Sequence, residues 1–379
     1  MDSVSEVSVV KCLDYDDSVE KAVEEAFGLV KASKLLKKGM KVLIKPNILS
    51  SAEPEKAVTT HPSIIDAVCR YLHKFGVKIY IGESSGSAAA HGTAQAFEKS
   101  GIAAVAKKWN AEFVNFDSEE HAVSTDKSYV ALKSIVYAKK LKEMDLIVDA
   151  CKLKTHMLTG YTGAVKNMFG ILPGRAKINA HTQGKTLKKF SHVILDIYSA
   201  VKPHLCIMDG ILGMEGNGPS SGKPKKTGLV IASRDAVALD MVASRIIGFK
   251  QNELEFLRLA GKRGMAPKSI EVLGEKDANI PYKKPMNYRF GFYRSFHSIV
   301  MSNLQTSFKV DKSKCKRCGY CIRACPQKTI ESEKGFPKFN KKECIMCYCC
   351  HELCPHDAII LKKPLIARIA EKLTKRFND

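Results

Sequence analysis

The chain has 379 residues, 45% of them hydrophobic, and a formal net charge of +22. This length predicts a large domain with a smaller appendage, and a body of that size can bury a core without help from disulfides or metal. The N-terminus is acidic and no window approaches 18 apolar residues, so we expect neither a secretory signal nor a membrane span. We therefore expect a cytoplasmic protein.

Short β-branched runs alternate with amphipathic helical stretches over the first part of the chain. Apolar strands between helices are typical of a mostly parallel sheet with helices on both faces, whose loops at the carboxyl strand ends hold ligands. We predict such an α/β domain for residues 1–275. Helices are predicted at 18–36 and 62–76, and strands at 7–10, 41–47, 77–83, 111–116, 145–151, 205–210 and 228–233.

Lysine, histidine and asparagine side chains lie at the ends of two predicted strands and on a helix-like segment that follows the second. Lys152, Lys154 and His156 come after the strand ending near Cys151, and alternate residues there share one face. We expect one cationic pocket for a carboxylate or phosphate, with His156 as acid, base or metal ligand and Lys154 and Lys166 as catalytic partners. An ordinary structural role is the alternative. The expected binding residues are Lys45, Asn47, Lys152 and Asn167.

The stretch GESSG at 82–86 follows a strand and leads towards a helix near Gly92. Its backbone amides, with Ser84 and Ser85, are candidates for holding an anion, and a plain turn is the alternative. The sequence has no GxGxxG that opens a helix after a strand, so we do not expect a Rossmann dinucleotide site.

Three acidic residues suggest a cation site or a catalytic base. Asp209, Glu215 and Asp240 are candidate cation ligands or bases. Asp235 directly precedes AVALDMVASRII and is expected to cap that helix.

The order of the motifs in residues 1–275 resembles the family called domain of unknown function 362. Members often carry a ferredoxin-like unit, and because the family's chemistry is largely unassigned the resemblance implies architecture more than activity. The motifs are KPN (45–47), THP (60–62), GESSG (82–86), KLKTH (152–156), TGAVKNMFG (162–170), DGILGMEGNGPSSG (209–222) and DAVALD (235–240).

A fainter resemblance links residues 60–82 and the glycine-rich lysine segment up to Gly174 to the N-terminal domain of lactate-racemase-type nickel-pincer proteins. It covers about a third of the domain and lacks that family's full histidine set, so we do not expect the nickel cofactor.

Two segments flank the C-terminal domain. Residues 276–308 are basic and aromatic; we expect a connector, and single-stranded nucleic acid binding is the alternative. Residues 364–379 predict an amphipathic helix that docks on the protein, or alternatively lies on a membrane surface.

Nine of the thirteen cysteines fall between Cys315 and Cys354. In a reducing compartment such clustering indicates metal ligands. A shift of 29 residues superimposes two CxxCxxCxxxCP motifs and aligns Cys349 with Tyr320, so Cys349 is the extra cysteine. The scattered ones are expected to be small buried hydrophobes: Cys12, Cys69, Cys151 and Cys206.

This double motif resembles bacterial-type two-cluster ferredoxins, which implies two 4Fe-4S clusters within residues 309–363. In those ferredoxins the fourth cysteine of each motif serves the other cluster. Structural zinc is the alternative, but zinc sites usually separate two CxxC pairs by a longer loop. The implied ligand sets are Cys315, Cys318, Cys321 and Cys354 for one cluster, and Cys344, Cys347, Cys350 and Cys325 for the other.

Together these features predict an iron–sulfur redox protein that exchanges electrons with an anionic substrate or cofactor in the α/β domain. The alternatives are a non-catalytic electron-transfer partner of another enzyme and a non-redox enzyme with structural clusters. We expect a redox partner protein. We expect no nucleic acid, because the lysines are spread along the whole chain and no recognisable nucleic-acid module is present.

Overall fold

A computed structural model describes residues 4–85, 90–250, 252–289 and 307–362, apart from 353, 355 and 357. The chain divides into two compact units, Met1–Pro285 and Met286–Asp379. Residues 276–285, which we assigned to the connector, lie in the first unit. The reason is backbone pairing: Ile280 N donates to Ile246 O at 2.8 Å, and Tyr282 N donates to Ile247 O at 2.9 Å.

The strands and helices of the first unit alternate as predicted. The strands are β1 (Val4–Lys11), β2 (Lys41–Pro46), β3 (Lys78–Glu83), β4 (Glu112–Asn115), β5 (His121–Ser124), β6 (Ile135–Ala138), β7 (Leu146–His156), β8 (Gly160–Thr162), β9 (Leu205–Glu215), β10 (Lys223–Ser233) and β11 (Ser269–Gly274). The helices are α1 (Ser18–Leu29), α2 (Pro62–His73), α3 (Ala90–Lys99), α4 (Ile102–Lys108), α5 (Ala164–Asn167), α6 (Gly174–Gln183), α7 (Leu187–Ala200), α8 (Ala236–Ile246) and α9 (Glu255–Lys262).

Nine of these strands form one sheet in the order β11-β1-β10-β9-β7-β2-β3-β4, with β8 paired to β7. The pairings of β2 with β3 and β7, of β3 with β4, of β7 with β9 and of β1 with β11 are parallel. Strand β10 runs antiparallel to β1 and β9, and β8 runs antiparallel to β7. The predicted α/β fold with a mostly parallel sheet is confirmed.

The two faces of the sheet carry different side chains. Ile44, Val148 and Ile207 belong to the apolar core that includes Phe27 of α1 and Leu72 of α2. Because side chains alternate along a strand, the residues next to them point to the opposite face. Whether a polar residue lies in step with these apolar residues or next to them therefore decides which face of the sheet it occupies.

Strand β7 is longer than predicted and continues past Cys151 to His156, with all eleven residues buried. Its end is held by the hairpin to β8, in which Lys154 faces Thr162 and His156 faces Gly160. The segment KLKTH therefore belongs to the sheet and is not a loop.

The second unit contains α10 (Met286–Arg289), β12 (Ser307–Val310), α11 (Tyr320–Arg323), β13 (Ile330–Glu333), β14 (Phe336–Phe339), α12 (Cys349–Glu352) and β15 (Ile359–Lys362). Strands β12 and β15 pair, and β13 and β14 form an antiparallel hairpin, which turns at Lys334 and Gly335. Glycine suits this turn because its φ is +80°.

The predicted C-terminal helix at 364–379 and most of the predicted connector lie outside the described residues. Among the described helices, none is long and apolar enough to cross a membrane.

Candidate functional site

Four of the cysteines predicted as ligands line one cavity in the second unit. They are Cys325 from the first motif and Cys344, Cys347 and Cys350 from the second. The other walls are mainly apolar, with Gln327 and Thr329 as polar members; the apolar residues include Phe308, Ile330, Phe339, Ile345 and Tyr348. Burial raises the pKa of the Cys350 thiol well above its usual value, and Cys347, Cys344 and Cys325 raise it further. The structure therefore brings these four thiols together.

The other predicted set is grouped around Cys321. Burial raises the pKa of Cys321 to about 11, with further contributions from Cys354 and Cys318. Cys354 comes from the second motif, so each motif sends its fourth cysteine to the neighbouring group. Cys315, half-buried, begins the motif, and its N–H donates to Asp311 O at 3.0 Å.

The two motifs repeat each other in backbone hydrogen bonding as well as in sequence. Thr329 N donates to Cys325 Sγ at 3.4 Å, and Ala358 N, its counterpart 29 residues later, donates to Cys354 Sγ at 3.3 Å. Hydrogen bonds of this kind stabilise thiolate sulfur and help to set the potential of an iron–sulfur cluster.

The loops between the cysteines also share a conformation. Arg317 and Gly319 have positive φ, and so do their counterparts Met346 and Tyr348. Left-handed residues turn successive backbone N–H groups into a concave, anion-binding loop, which suits an anionic centre.

Cys349 touches Cys347 of the second group, but it is not among the residues that line the cavity of that group. It is buried at the start of α12, and its Sγ donates to Cys347 O at 4.0 Å. The repeat-based choice of Cys350 agrees with this placement.

The donor set consists of two groups of four cysteines in CxxCxxCxxxCP spacing, which is the donor chemistry of iron–sulfur clusters. Within the described part of the chain, no three Cys, His, Asp or Glu side chains converge closely enough to hold one metal ion. Cluster ligands bind different iron atoms and surround a volume, whereas four zinc ligands meet at one point.

In the first unit, Lys45 lies on the face of the sheet that packs against α5. Lys45 Nζ is 2.6 Å from Glu83 Oε2, and both side chains are almost completely buried. Nearby, Asn167 Nδ2 donates to Asp149 Oδ1 at 2.5 Å. Burial raises the pKa of Asp149 to about 8, and Lys45 lowers it in part. Lys45 therefore compensates buried carboxyl groups of the protein and is not placed to bind an external anion.

Asn47 follows β2 at the same edge and is half-buried. Its backbone N–H donates to Ala150 O at 3.1 Å and Thr60 Oγ1 at 3.0 Å, and so fixes the THP loop to the middle of β7. These hydrogen bonds give Asn47 a structural role in holding the THP loop.

Lys152 points to the opposite face, towards α1 and α2. Lys152 Nζ donates to Asp209 Oδ2 at 2.7 Å and Tyr15 OH at 2.9 Å, and Tyr15 OH donates to Asp209 Oδ1 at 2.7 Å. The Tyr15 ring stacks on His61 with centroids 3.6 Å apart. The single pocket that we expected is thus divided by the sheet, and Asp209 is a partner of Lys152.

The backbone amides of Ser84 and Ser85 in the GESSG turn donate to groups of the protein. Ser84 N donates to Glu83 Oε1 at 2.8 Å and to Gly170 O at 3.2 Å, and Ser85 N donates to Thr93 Oγ1 at 2.9 Å. Ser84 and Ser85 therefore build a braced turn, and their amides do not form the anion cradle that we expected.

The side chains of this turn are held by two residues that sequence reasoning missed. Ser84 Oγ donates to Asp117 Oδ1 at 2.5 Å. Lys177 Nζ of α6 donates to Ser84 Oγ at 2.8 Å and to Ser85 O at 2.9 Å. Burial lowers the pKa of Lys177 to about 8, against the opposing effects of Glu83 and Asp117.

His156 lies at the end of β7 among cationic neighbours. Its Nδ1 accepts from Leu158 N at 3.1 Å and Thr159 N at 3.4 Å, which assigns the proton of the neutral ring to Nε2. Burial lowers the pKa of His156 well below its usual range, and Lys166, Lys154 and His181 lower it further. His156 is therefore a neutral N–H donor at physiological pH.

The neighbours of His156 come from three elements. Lys154 Nζ donates to Val58 O at 2.8 Å. Lys166 of α5 is half-buried and lies over the ring of Phe169, 5.8 Å from its centroid. His181 of α6 lies 5.1 Å from the same ring, and burial, Lys166 and Lys177 lower its pKa to about 3. We call Lys154, His156, Lys166 and His181 the His156 group.

Asp240, a candidate base, has a structural role. Its carboxylate accepts from Ala164 N at 2.7 Å, Val165 N at 3.0 Å and Tyr161 OH at 2.9 Å, and so fixes the start of α5. Burial raises the pKa of Asp240 to about 7.

The other two acidic residues are also engaged. Glu215 Oε2 accepts from Lys283 N at 2.9 Å, which ties the end of β9 to the last residues of the unit. Asp235 accepts from Val237 N at 2.9 Å and Ala238 N at 3.1 Å, which confirms the predicted cap of α8. The four scattered cysteines are buried, as predicted.

Sequence reasoning missed four residues of these polar groups. Asp149 lies within the apolar strand β7, where no local pattern marks it. Asp117 follows β4, and the only available signal was the principle that ligands gather at carboxyl strand ends. Lys177 and His181 lie on α6, which carried no recognisable motif.

The fold and the cysteine groups define an α/β protein with a C-terminal iron–sulfur domain. The model of the 4Fe-4S dicluster domain matches residues 307–355. The model of the domain of unknown function DUF362 matches residues 42–245, more than half of the chain. The chain belongs to the DUF362 family, as its motifs predicted, and it is an iron–sulfur protein.

A curated relative, the thylakoid-associated protein sll1697 of Synechocystis sp. (strain ATCC 27184 / PCC 6803 / Kazusa), is 30% identical over 238 residues, which cover 62% of this chain and 72% of that protein. Among solved structures, the lactate racemase apoprotein from Thermoanaerobacterium thermosaccharolyticum matches with a TM-score of 0.43 and 16% identity. That match covers 65% of this chain and 57% of the racemase chain, so this chain spans less than two thirds of it.

Proposed function

We propose that this protein binds two 4Fe-4S clusters and uses them to exchange electrons with an anionic substrate or cofactor held beside the His156 group. The observation that carries the proposal is the pair of crossed cysteine groups, because one four-thiol site would suffice for a structural metal. Clusters held by thiolates supply one-electron chemistry at low potential. Such chemistry makes an oxidoreductase the favoured class of enzyme.

The ligand assignment follows the crossed groups. Cys315, Cys318, Cys321 and Cys354 would hold one cluster, and Cys325, Cys344, Cys347 and Cys350 the other. The backbone N–H groups of Thr329 and Ala358 support the fourth cysteine of each motif.

The anionic ligand is supported by the sign of the charges around His156. Burial lowers the pKa of His156, and the positive charges of Lys166 and Lys154 lower it further by electrostatic repulsion, as does His181. A bound carboxylate or phosphate would relieve this repulsion. Lys45, Lys152, Ser84 and Ser85 are engaged with protein groups and are therefore omitted from the proposed ligand site.

The chemistry of the site follows from protonation. His156 is neutral with its proton on Nε2, so it donates a hydrogen bond to a substrate oxygen and does not take up a proton near neutral pH. Lys166, half-buried beside Phe169, supplies positive charge to the same ligand. The clusters would then pass electrons to the ligand that these residues orient, or accept electrons from it.

The test is an anaerobic preparation of the whole protein, examined by visible absorption, EPR and iron and sulfide analysis. A panel of carboxylates and phosphate esters is then screened by thermal shift on the wild type, Lys166→Ala and His156→Ala. Lys188→Ala is the control, since Lys188 is an exposed lysine of α7. We expect at least one anion to stabilise the wild type and the control. The same anion should bind the two site variants at least about tenfold more weakly than it binds the wild type. It should also change the oxidation state of the clusters.

Intact clusters that exchange no electrons with any anion bound by the wild type would contradict the coupled function. That outcome would favour a non-catalytic electron carrier or a non-redox enzyme with structural clusters.

A further inference from the structure

The two cysteine groups differ in how they meet solvent. Among the described cysteines, Cys318 alone is exposed; the others are half-buried or buried. The cavity of Cys325, Cys344, Cys347 and Cys350 is lined mainly by aromatic and aliphatic side chains. Of the two proposed centres, the one that includes Cys318 is therefore the more accessible.

Basic side chains surround this exposed thiol. Within residues 314–323, KCKRCGYCIR, there is no acidic residue. We call this surface the basic rim and define it by five side chains, which are all exposed: Lys312, Lys314, Lys316, Arg317 and Arg323.

Several of these side chains are held in place. Arg323 Nη1 donates to Cys318 O at 3.2 Å. The Arg317 guanidinium lies 4.5 Å from the centroid of the Phe336 ring, and Lys312 Nζ lies 5.2 Å from the same centroid. Positioned charge around an accessible redox ligand favours docking of a partner with the opposite charge.

We propose that electrons enter and leave this protein through the Cys318 edge, and that the basic rim docks a redox protein with an acidic surface. The proposal rests on the proposed binding of clusters. In each encounter one electron passes between the cluster held by Cys315, Cys318, Cys321 and Cys354 and the redox group of the partner. No bond is made or broken, and complementary charge accelerates the encounter.

A nucleic acid fits the rim less well. Proteins bind single strands by stacking bases on open aromatic rings. The two rings beside the rim already carry arginines: Arg317 covers Phe336, and the Arg323 guanidinium lies 5.5 Å from the centroid of the Tyr320 ring.

The test measures electron transfer from the reduced holoprotein by stopped-flow absorbance at low and high salt. The oxidants are ferricyanide, an anion, and hexaammineruthenium(III), a cation. The test variant is Lys316→Glu/Arg317→Glu. The control, Lys37→Glu/Lys38→Glu, makes the same change in net charge at exposed positions of the first unit.

We expect the test variant to react about tenfold more slowly with ferricyanide at low salt and faster with hexaammineruthenium(III), and both effects to shrink at high salt. Reduction of the oxidised protein by an acidic flavodoxin hydroquinone should slow in parallel. Equal effects in the control variant, or no effect in the test variant, would overturn the proposal.

Two further measurements separate the possible failures. Iron and sulfide are quantified before every experiment, because their absence would overturn the cluster assignment and this proposal together. Binding of a single-stranded RNA is measured by fluorescence anisotropy. RNA binding that the test variant abolishes, with unchanged ferricyanide and flavodoxin rates, would overturn the acidic partner in favour of a nucleic acid.

Discussion

Cys325 lines the same cavity as Cys344, although the two belong to different halves of the repeated motif. The hairpin of β13 and β14 lies between them in the chain, so the second unit crosses its ligands by folding the two halves together. Because of this crossing, we predict that each of the two proposed clusters depends on cysteines from both motifs.

Serine replacement of single cysteines should reveal the crossing. Cys325→Ser should damage the cluster whose other ligands are Cys344, Cys347 and Cys350, and Cys354→Ser should damage the other cluster. EPR of the reduced protein and iron content measure the loss in each variant. Cys349→Ser is the control and should spare both clusters. Loss of a cluster in Cys349→Ser, with none in Cys350→Ser, would refute the repeat-based assignment.

Removing only one partner of the buried ion pair of Lys45 and Glu83 should strongly destabilise the first unit. Lys45→Met leaves a carboxyl group buried without its cation, and removal of one partner of such a pair costs about 3–5 kcal/mol. Because Glu83 is almost completely buried, the double variant Lys45→Met/Glu83→Gln should be less destabilised than the sum of the single variants. Urea denaturation measures each free energy of unfolding. Additive costs would show that the two side chains are not coupled.

A side chain at Gly170 should force this ion pair to shift, because Gly170 lies directly against it. A Cβ at Gly170 would be 2.0 Å from Glu83 Oε1 and 2.7 Å from Lys45 Nζ. Gly170→Ala should therefore destabilise the first unit by about 1–3 kcal/mol, the usual cost of overpacking. Gly28→Ala in α1 is the matched control, since nothing lies within 4 Å of its Cβ and alanine favours a helix. Equal stability of the two variants would contradict the close packing.

Asp149 should make the first unit lose stability as pH rises. Its pKa is raised from 3.8 to about 8 by burial, so below about pH 4 it is protonated in both the folded and the unfolded chain. Between those values the unfolded chain ionises first, and stability falls by up to about 6 kcal/mol at 1.4 kcal/mol per pKa unit. Asp149→Asn should lack this loss, so its advantage over the wild type should grow from pH 5 to pH 8. A difference independent of pH in urea denaturation would count against a protonated Asp149.

The sequence predicted the parts of the protein that follow periodic rules. The alternating apolar strands fixed the α/β class, and the 29-residue repeat separated Cys349 from Cys350. It did not predict the end of β7, because KLKTH is polar and is stabilised by pairing with β8 rather than by an apolar pattern. It also merged Lys45 and Lys152 into one pocket, since only the sheet shows that they point to opposite faces.

The grouping around His156 depends on tertiary contacts that no local pattern contains. Lys166 belonged to a recognised motif, whereas His181 reaches the same place from α6. The protonation state of His156 likewise depends on hydrogen bonds from Leu158 and Thr159, which require the folded turn after β7.

The measurement that tests the central claim most directly is metal and sulfide analysis of the anaerobically purified chain, combined with EPR after reduction. Two 4Fe-4S clusters predict about eight iron and eight sulfide per chain and the signals of two interacting reduced clusters. Zinc without iron or sulfide would contradict the account.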